Sequence, residues 1–242
     1  MGFFSTVIYA PIYNSIIFII SLLGDNIAIA MVVIPIIIKI ILFPLLMISF
    51  HNQQVQEEIS KKMEEIKKKY ENNKEEFFIR IQKLFKEHNF HPFLGILSII
   101  LQIPIIITVS LIIIRDEIFV ARSDLLYSFV EFPSTINGSL LNIDLSSQSL
   151  LLAVFAFISQ YFLLKAIFSR PRKASTEQMD LMRKKMEKWM FIILPPMVAI
   201  TSFYLSGAVA LYWTATALVS ILQEMLIFRP MVMKRNSNNK AN

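Results

Sequence analysis

The sequence predicts an all-α membrane protein with five transmembrane helices. Three observations carry that prediction. Hydrophobic residues make up 55% of the 242 residues and mean hydropathy is +0.57, outside the ordinary soluble range. Apolar runs long enough to cross a bilayer as helices recur along the chain. Apart from Lys39, Lys165 and Glu224, charges lie in the segments between those runs, and strongly basic segments alternate with poorly basic ones. The chain has no cysteine, which excludes a disulfide framework, thiolate chemistry and a thiolate metal site. Its net charge of +6 borders the apolar spans instead of forming an aromatic-studded patch, so nucleic acid is not the implied target.

Residues 1–24 carry no Lys, Arg, Asp or Glu. Thr6–Leu23 is hydrophobic but interrupted by Tyr9, Pro11, Tyr13, Asn14 and Ser15, and it lacks the basic region of a signal peptide. An extra span and a helix lying in the interface both fit. The interfacial helix is preferred, because a span here would reverse the topology argued below. Gly24-Asp25-Asn26 turns the chain into the first clear span, residues 27–50. Within it Met31–Leu46 is apolar except for Lys39, which stands about 15 Å from either edge of a hydrocarbon core about 30 Å thick. A charge there costs roughly 2.5–3.5 kcal/mol on insertion scales, so water, a partner or a substrate must offset it.

Residues 51–90 hold nine Lys/Arg and eight Asp/Glu. Val55, Ile59, Met63, Ile66 and Tyr70 form one helical stripe, and Phe77, Phe78, Ile81, Leu84 and Phe85 form a second beyond Asn72-Asn73. Four Glu/Lys pairs spaced i,i+4 reinforce the first arm by a few tenths of a kcal/mol each. The expectation is a charged helical hairpin outside the membrane, its stripes facing each other.

The second span, residues 91–114, opens at His91-Pro92, contains Gln102 and Pro104, and ends before Arg115 and Asp116. Residues 115–149 form a loop with two basic and five acidic residues. Residues 150–168 are the third span, with Ser159 and Gln160 inside it. A basic loop, 169–188, follows. From Trp189 to Phe228 the chain is 40 residues long, about 60 Å as helix, which is two spans and not one. Ser206-Gly207 is the natural reversal, and residues 229–242 are a basic tail. Segments 51–90, 169–188 and 229–242 carry nine, seven and four Lys/Arg against none before the first span and two in 115–149. The positive-inside rule then puts the N-terminus outside and the C-terminus in the cytoplasm.

Two readings compete for the polar residues inside the spans: Lys39, Gln102, Gln160, Thr201, Trp213, Thr216 and Gln223. In one they are interhelical glue, each hydrogen bond worth about 0.6 kcal/mol. In the other they line a wet cavity around Lys39. For a single Thr the first is preferred. For Lys39 the second is, because no Asp or Glu lies deep in any span to neutralise it, and an unpaired cation in a cavity receives anionic groups. Glu224 reads as an interface residue near Arg229. No catalytic triad, acid/base pair, phosphate loop or metal-ligand spacing is present, so an enzyme is not implied.

The motifs resemble the YidC/Oxa/Alb membrane protein insertases. The carrying residues are Lys39-Ile40-Ile41-Leu42-Phe43-Pro44-Leu45, the charged hairpin, His91-Pro92-Phe93-Leu94-Gly95 running into Leu101-Gln102-Ile103-Pro104-Ile105, Ser159-Gln160, Trp189-Met190 to Leu194-Pro195, Ser206-Gly207, Leu211-Tyr212-Trp213 and Ile221-Leu222-Gln223. The resemblance covers nearly the whole chain and is to members without a large extracytoplasmic domain. It implies five helices around a hydrophilic groove open to the cytoplasm and the lipid, a positive residue (here Lys39) that attracts the polar part of an incoming chain, an interfacial helix at Thr6–Leu23 and a cytoplasmic hairpin that helps receive substrate. It implies nascent membrane proteins and the lipid bilayer of a bacterial plasma (inner) membrane as partners, and no cofactor. The ribosome, through the basic tail, and a Sec-type translocon are further candidate partners. Three positions depart from the family: Lys39 for the usual arginine, Leu205 for a proline and Ala217 for an asparagine. The rival from another class is a small anion or solute transporter using Lys39 as its binding charge. Transporters commonly carry internal repeats, and the two halves of this chain show none.

Overall fold

The structure is a computed structural model that describes residues 2, 4–91, 93–115, 117–171 and 177–241, with side-chain detail outside 95–102, 177–179 and 238–241. The Pro92 and Asp116 positions, and Arg172 and Lys173 of the basic loop, lie outside the described residues. Among the described residues the regular elements are helices, apart from one small hairpin in the otherwise irregular loop 117–149. A π-helical turn at Ser5–Tyr9 leads into α1 (Ala10–Leu22), followed by α2 (Ile27–Ile41), α3 (Phe43–Lys69), α4 (Lys74–Glu87) and α5 (Leu94–Ile114). Strands β1 (Ser139–Leu140) and β2 (Ile143–Asp144) pair antiparallel in the loop before α6 (Leu150–Phe168). Then come α7 (Glu177–Tyr204), α8 (Gly207–Gln223), a second π-helical turn at Glu224–Phe228 and α9 (Arg229–Ala241).

Among the described residues four helical stretches are long and apolar enough to cross a membrane, Ser5–Leu22, Leu150–Phe168, Asp180–Tyr204 and Gly207–Ser237, and Ile103–Ile114 is a shorter apolar one. The pair α2 and α3 passes the same test together, bent by 59°. The sequence reading expects one continuous helix across residues 27–50. The bend has a local cause: Pro44, in the first turn of α3, has no N–H for the Ile40 carbonyl and its ring crowds that carbonyl. Two expected loops are helical instead. Residues 177–188 of the basic loop extend α7, and the basic tail continues α8 as α9 with Pro230 in its first turn.

The core lies at the end of the bundle that carries the 115–149 loop. Tyr13, Ile16, Ile17 and Ile20 of α1 pack there with Ile27, Met31 and Ile34 of α2, Val109 and Ile112 of α5, and Ala208 to Tyr212 of α8. The loop closes this end by taking up N–H groups that helix starts leave without partners. Ile27 N–H donates to the Asn137 carbonyl at 3.1 Å, Gly207 N–H to Ser147 at 2.8 Å and Ala208 N–H to Leu145 at 2.9 Å. Gly207 suits this approach: a Cβ there would stand 3.2 Å from Leu145 Cα and 3.2 Å from Leu152 Cδ1, so the loop would have to give way. Gly207→Ala is therefore expected to destabilise the fold by about 1–3 kcal/mol, read as a lower unfolding temperature in detergent.

The same loop grips α1 with polar side chains. Buried Asn14 donates to the Leu125 carbonyl at 2.8 Å and accepts from Tyr127 N–H at 2.7 Å. The Tyr13 hydroxyl accepts from Arg122 N–H at 3.0 Å, and Tyr9 donates to buried Glu117, which also takes Arg122 at 2.5 Å. On its outer side Arg122 hydrogen-bonds Asp124 and holds that carboxyl below its ordinary range.

At the opposite end, α3 and α4 form a hairpin. Val55 and Ile59 pack on Leu84 and Phe90, flanked by Met63, Ile66 and Phe85. Asn73 caps α4 by accepting from Glu76 N–H at 3.1 Å. Phe78 remains outside that seam, 61% exposed.

Candidate functional site

Lys39 sits on the face of α2 that also carries Met31, Ile34 and Pro35, all buried. Its position one and two turns beyond Pro35 and Met31 aims the lysine into the bundle, toward α8. Lys39 is 8% exposed, whereas its neighbours Ile40 and Ile41 are 67% and 70% exposed and form the outward face. Among the described residues Lys39 has no ion pair and no hydrogen bond. An ammonium removed from bulk water without a compensating group is costly, so the position points to water or a ligand.

Helix rise places the remaining residues, because the loop ties the neighbouring ends of α2, α8 and α6 together: Gln148 also reaches the Tyr204 carbonyl at 3.3 Å, at the end of α7. At about 1.5 Å per residue, Lys39 lies about 18 Å below Ile27. By the same rise Thr216 lies about 14 Å below Gly207, Gln160 about 15 Å below Leu150 and the Gln102 backbone about 18 Å below Ile114. The four therefore lie at similar distances along their own helices. Trp213 is higher, at about 9 Å, and Gln223 lower, at about 24 Å, while Thr201 is only about 5 Å from the end of α7. The Gln102 side chain lies outside the described residues.

No two of the seven predicted residues bond to each other among the described residues. Thr216 donates to Tyr212 O and Thr201 to Met197 O, each at 2.7 Å. Thr214 and Ser220 likewise donate to carbonyls one turn back. These hydroxyls spend their protons on their own helix and keep lone pairs free, which makes them acceptors along α8. Trp213 Nε1 is buried with no partner among the described residues, and so are Thr108 Oγ1, Ser110 Oγ and Ser202 Oγ. Buried polar atoms are ordinarily paired with protein or water, so a run of unpaired ones on α5, α7 and α8 fits an interior that admits water or polar groups. Thr108 and Ser110 were not among the predicted site residues. Their signal was present, as the two hydroxyls in an otherwise apolar stretch of α5.

The sequence reading also missed a charge pair. Glu224, read from the sequence only as a residue near Arg229, has Arg170 as its partner. It is 3% exposed and held by Arg170, with Nε to Oε1 at 2.7 Å and Nη2 to Oε2 completing a two-pronged contact. Spacing could not reveal this, because the partners are 54 residues apart.

The comparisons with known proteins agree with this architecture. The sequence profile of the 60Kd inner membrane protein family matches residues 18–235. A membrane protein insertase YidC of Oceanobacillus iheyensis is 22% identical over 242 residues, spanning 97% of this chain and 87% of the relative. The membrane protein insertase MisCA of Bacillus subtilis is 22% identical, over 99% of this chain and 84% of its own length. A membrane protein insertase YidC of Helicobacter pylori is 26% identical over 85% of this chain, which matches 34% of that longer relative. Long apolar helices, a match running over most of the chain and relatives of similar length converge on one assignment: this integral membrane protein belongs to the 60Kd inner membrane protein family, the family of the YidC/Oxa insertases.

Proposed function

We propose that this chain is an insertase that receives hydrophobic segments of nascent membrane proteins from the cytoplasm and passes them sideways into the bilayer. The observation that carries the reading is Lys39, buried on the inward face of α2 and without a polar partner among the described residues. Lys39, Gln102, Gln160, Thr216 and Gln223 line the groove, with Trp213 and Thr201 nearer its closed end. The polar flank of an incoming segment enters this groove and is held near Lys39. Its apolar part slides along the outward face, where Ile36, Ile40 and Ile41 are exposed.

The groove acts on the barrier. Moving backbone and side-chain polar groups into hydrocarbon costs several kcal/mol for each unsatisfied group, and a hydrated path lowers that cost. Apolar burial supplies the driving force, about 25 cal/mol per Å², so no nucleotide is required. The N-terminus faces the outside and the basic segments face the cytoplasm of a bacterial inner membrane, as the charge distribution directs. The bonds from Tyr9, Tyr13 and Asn14 to residues 117–127 support an outer interfacial position for α1. A basic C-terminal helix suits anionic lipid or ribosomal RNA. A Sec-type translocon is a further partner.

The test is insertion of a short membrane protein into vesicles whose only protein is this chain. Insertion above the protein-free vesicles is expected. Anion or solute flux with no gain in insertion would replace this reading with a transporter.

A further inference from the structure

The first arm of the hairpin does not leave the bundle freely. On one side Ser49 Oγ donates to the Leu94 carbonyl and Asn52 Nδ2 to the His91 carbonyl, each at 2.7 Å. His91 N–H returns a bond to Asn52 Oδ1 at 3.1 Å. On the other side α3 runs along the C-terminal helix. Phe50 meets Phe228 with ring centroids 4.7 Å apart, in a cluster with Val232. One turn on, Gln54 accepts from Arg235, and Arg235 also pairs with Glu58 at 2.7 Å. Phe50, Gln54 and Glu58 are one stripe at i, i+4 and i+8, so this is a continuous helix–helix seam.

Arg170, from the segment after α6, fastens the seam. Its guanidinium grips Glu224 and lies 4.8 Å from the Phe50 ring and 5.6 Å from the Phe228 ring. Both charged side chains are withdrawn from solvent, at 13% and 3% exposure. A planar, always-charged fork that can stack and chelate together is the property arginine has and lysine lacks. The anchor lies in the π-helical turn Glu224–Phe228, a geometry that recurs at functional sites.

We propose that Arg170 and Glu224 are positioning residues: they lock the hairpin's root onto the end of the fifth span and so set where the hairpin presents substrate to the groove. The inference rests on the insertase reading above. The lock has two tiers. The inner pair is buried and holds firmly, whereas the Arg235–Glu58 contact is partly exposed and yields to salt. The contact at Glu58 therefore yields before the root at Phe50 does.

A chain without cysteine allows a clean distance measurement. Spin labels are placed on Asn72→Cys at the hairpin turn and Asn142→Cys in the loop, in full-length protein in vesicles. Variants are Glu224→Gln, which strands a buried guanidinium, and Arg170→Met with Glu224→Leu, which replaces the pair with apolar groups and is expected to fold. The distance distribution is expected to broaden in both variants, and insertion to be lost in parallel, including in the well-folded double variant. An unchanged distribution in both overturns the lock. A broadened distribution with full insertion overturns its use in delivery. A wild-type chain that inserts nothing defeats the insertase reading instead, and the distance measurement still decides the lock.

Discussion

Lys39→Ala is expected to remove most insertion activity in vesicles, while Lys39→Arg keeps it. The argument is electrostatic. A unit charge about 4 Å from an opposite charge is worth about 4 kcal/mol at an effective dielectric near 20. About a third of that already corresponds to a tenfold change in occupancy. Arginine preserves the charge and adds a fork of donors, which suits it to the same position. Alanine also relieves the cost of burying an unpaired ammonium, so the variant is expected to be at least as stable as the parent while losing activity. That separation of stability from activity distinguishes a receptor charge from a structural one. Equal insertion by the parent and both variants would remove Lys39 from the mechanism.

Asn14→Leu is expected to have the largest effect on stability. Asn14 is 3% exposed and donates to Ala10 O and Leu125 O at 2.8 Å while accepting from Tyr127 N–H at 2.7 Å. Leucine is of similar size but leaves the Leu125 carbonyl and the Tyr127 N–H without their partner, at about 1–3 kcal/mol each. The loop that also closes the starts of α2 and α8 should then open. Proteolysis within residues 120–135 should accelerate, and the unfolding temperature should fall. Asn14→Asp retains the acceptor for Tyr127 N–H but sets an ionised oxygen against the Ala10 and Leu125 carbonyls, so it should destabilise at least as much. Unchanged protection in Asn14→Leu would mean that apolar packing from Tyr13, Ile16 and Ile17 holds α1 unaided.

These two residues differ in how visible they are in the sequence. Lys39 stands out because one charge interrupts an apolar run, and a run is a local pattern. Asn14 was one of several polar interruptions in Thr6–Leu23 and carried no sign of its loop partners Leu125 and Tyr127, which lie more than 110 residues away. The bend at Leu42 was legible in principle, since Pro44 forbids a regular continuation. A composition window over residues 27–50 averages across it. The helical extension of α7 through residues 177–188 was hidden by charge, which marks a segment as outside the membrane but does not make it a loop.

The sequence by itself marked the apolar stretches, the reversal at Ser206-Gly207, two helical stripes in the charged residues 51–90, and a lysine inside an apolar run. Each of these follows from periodicity, turn chemistry or charge within a few residues. Only the tertiary structure decided that Glu224 belongs to Arg170, that the loop seals the starts of α2 and α8, and that the C-terminal helix lies along α3. The physical reason is that these are pairings between distant segments. A buried charge or an open N–H needs some partner, but its own sequence neighbourhood does not say which one packing will bring to it.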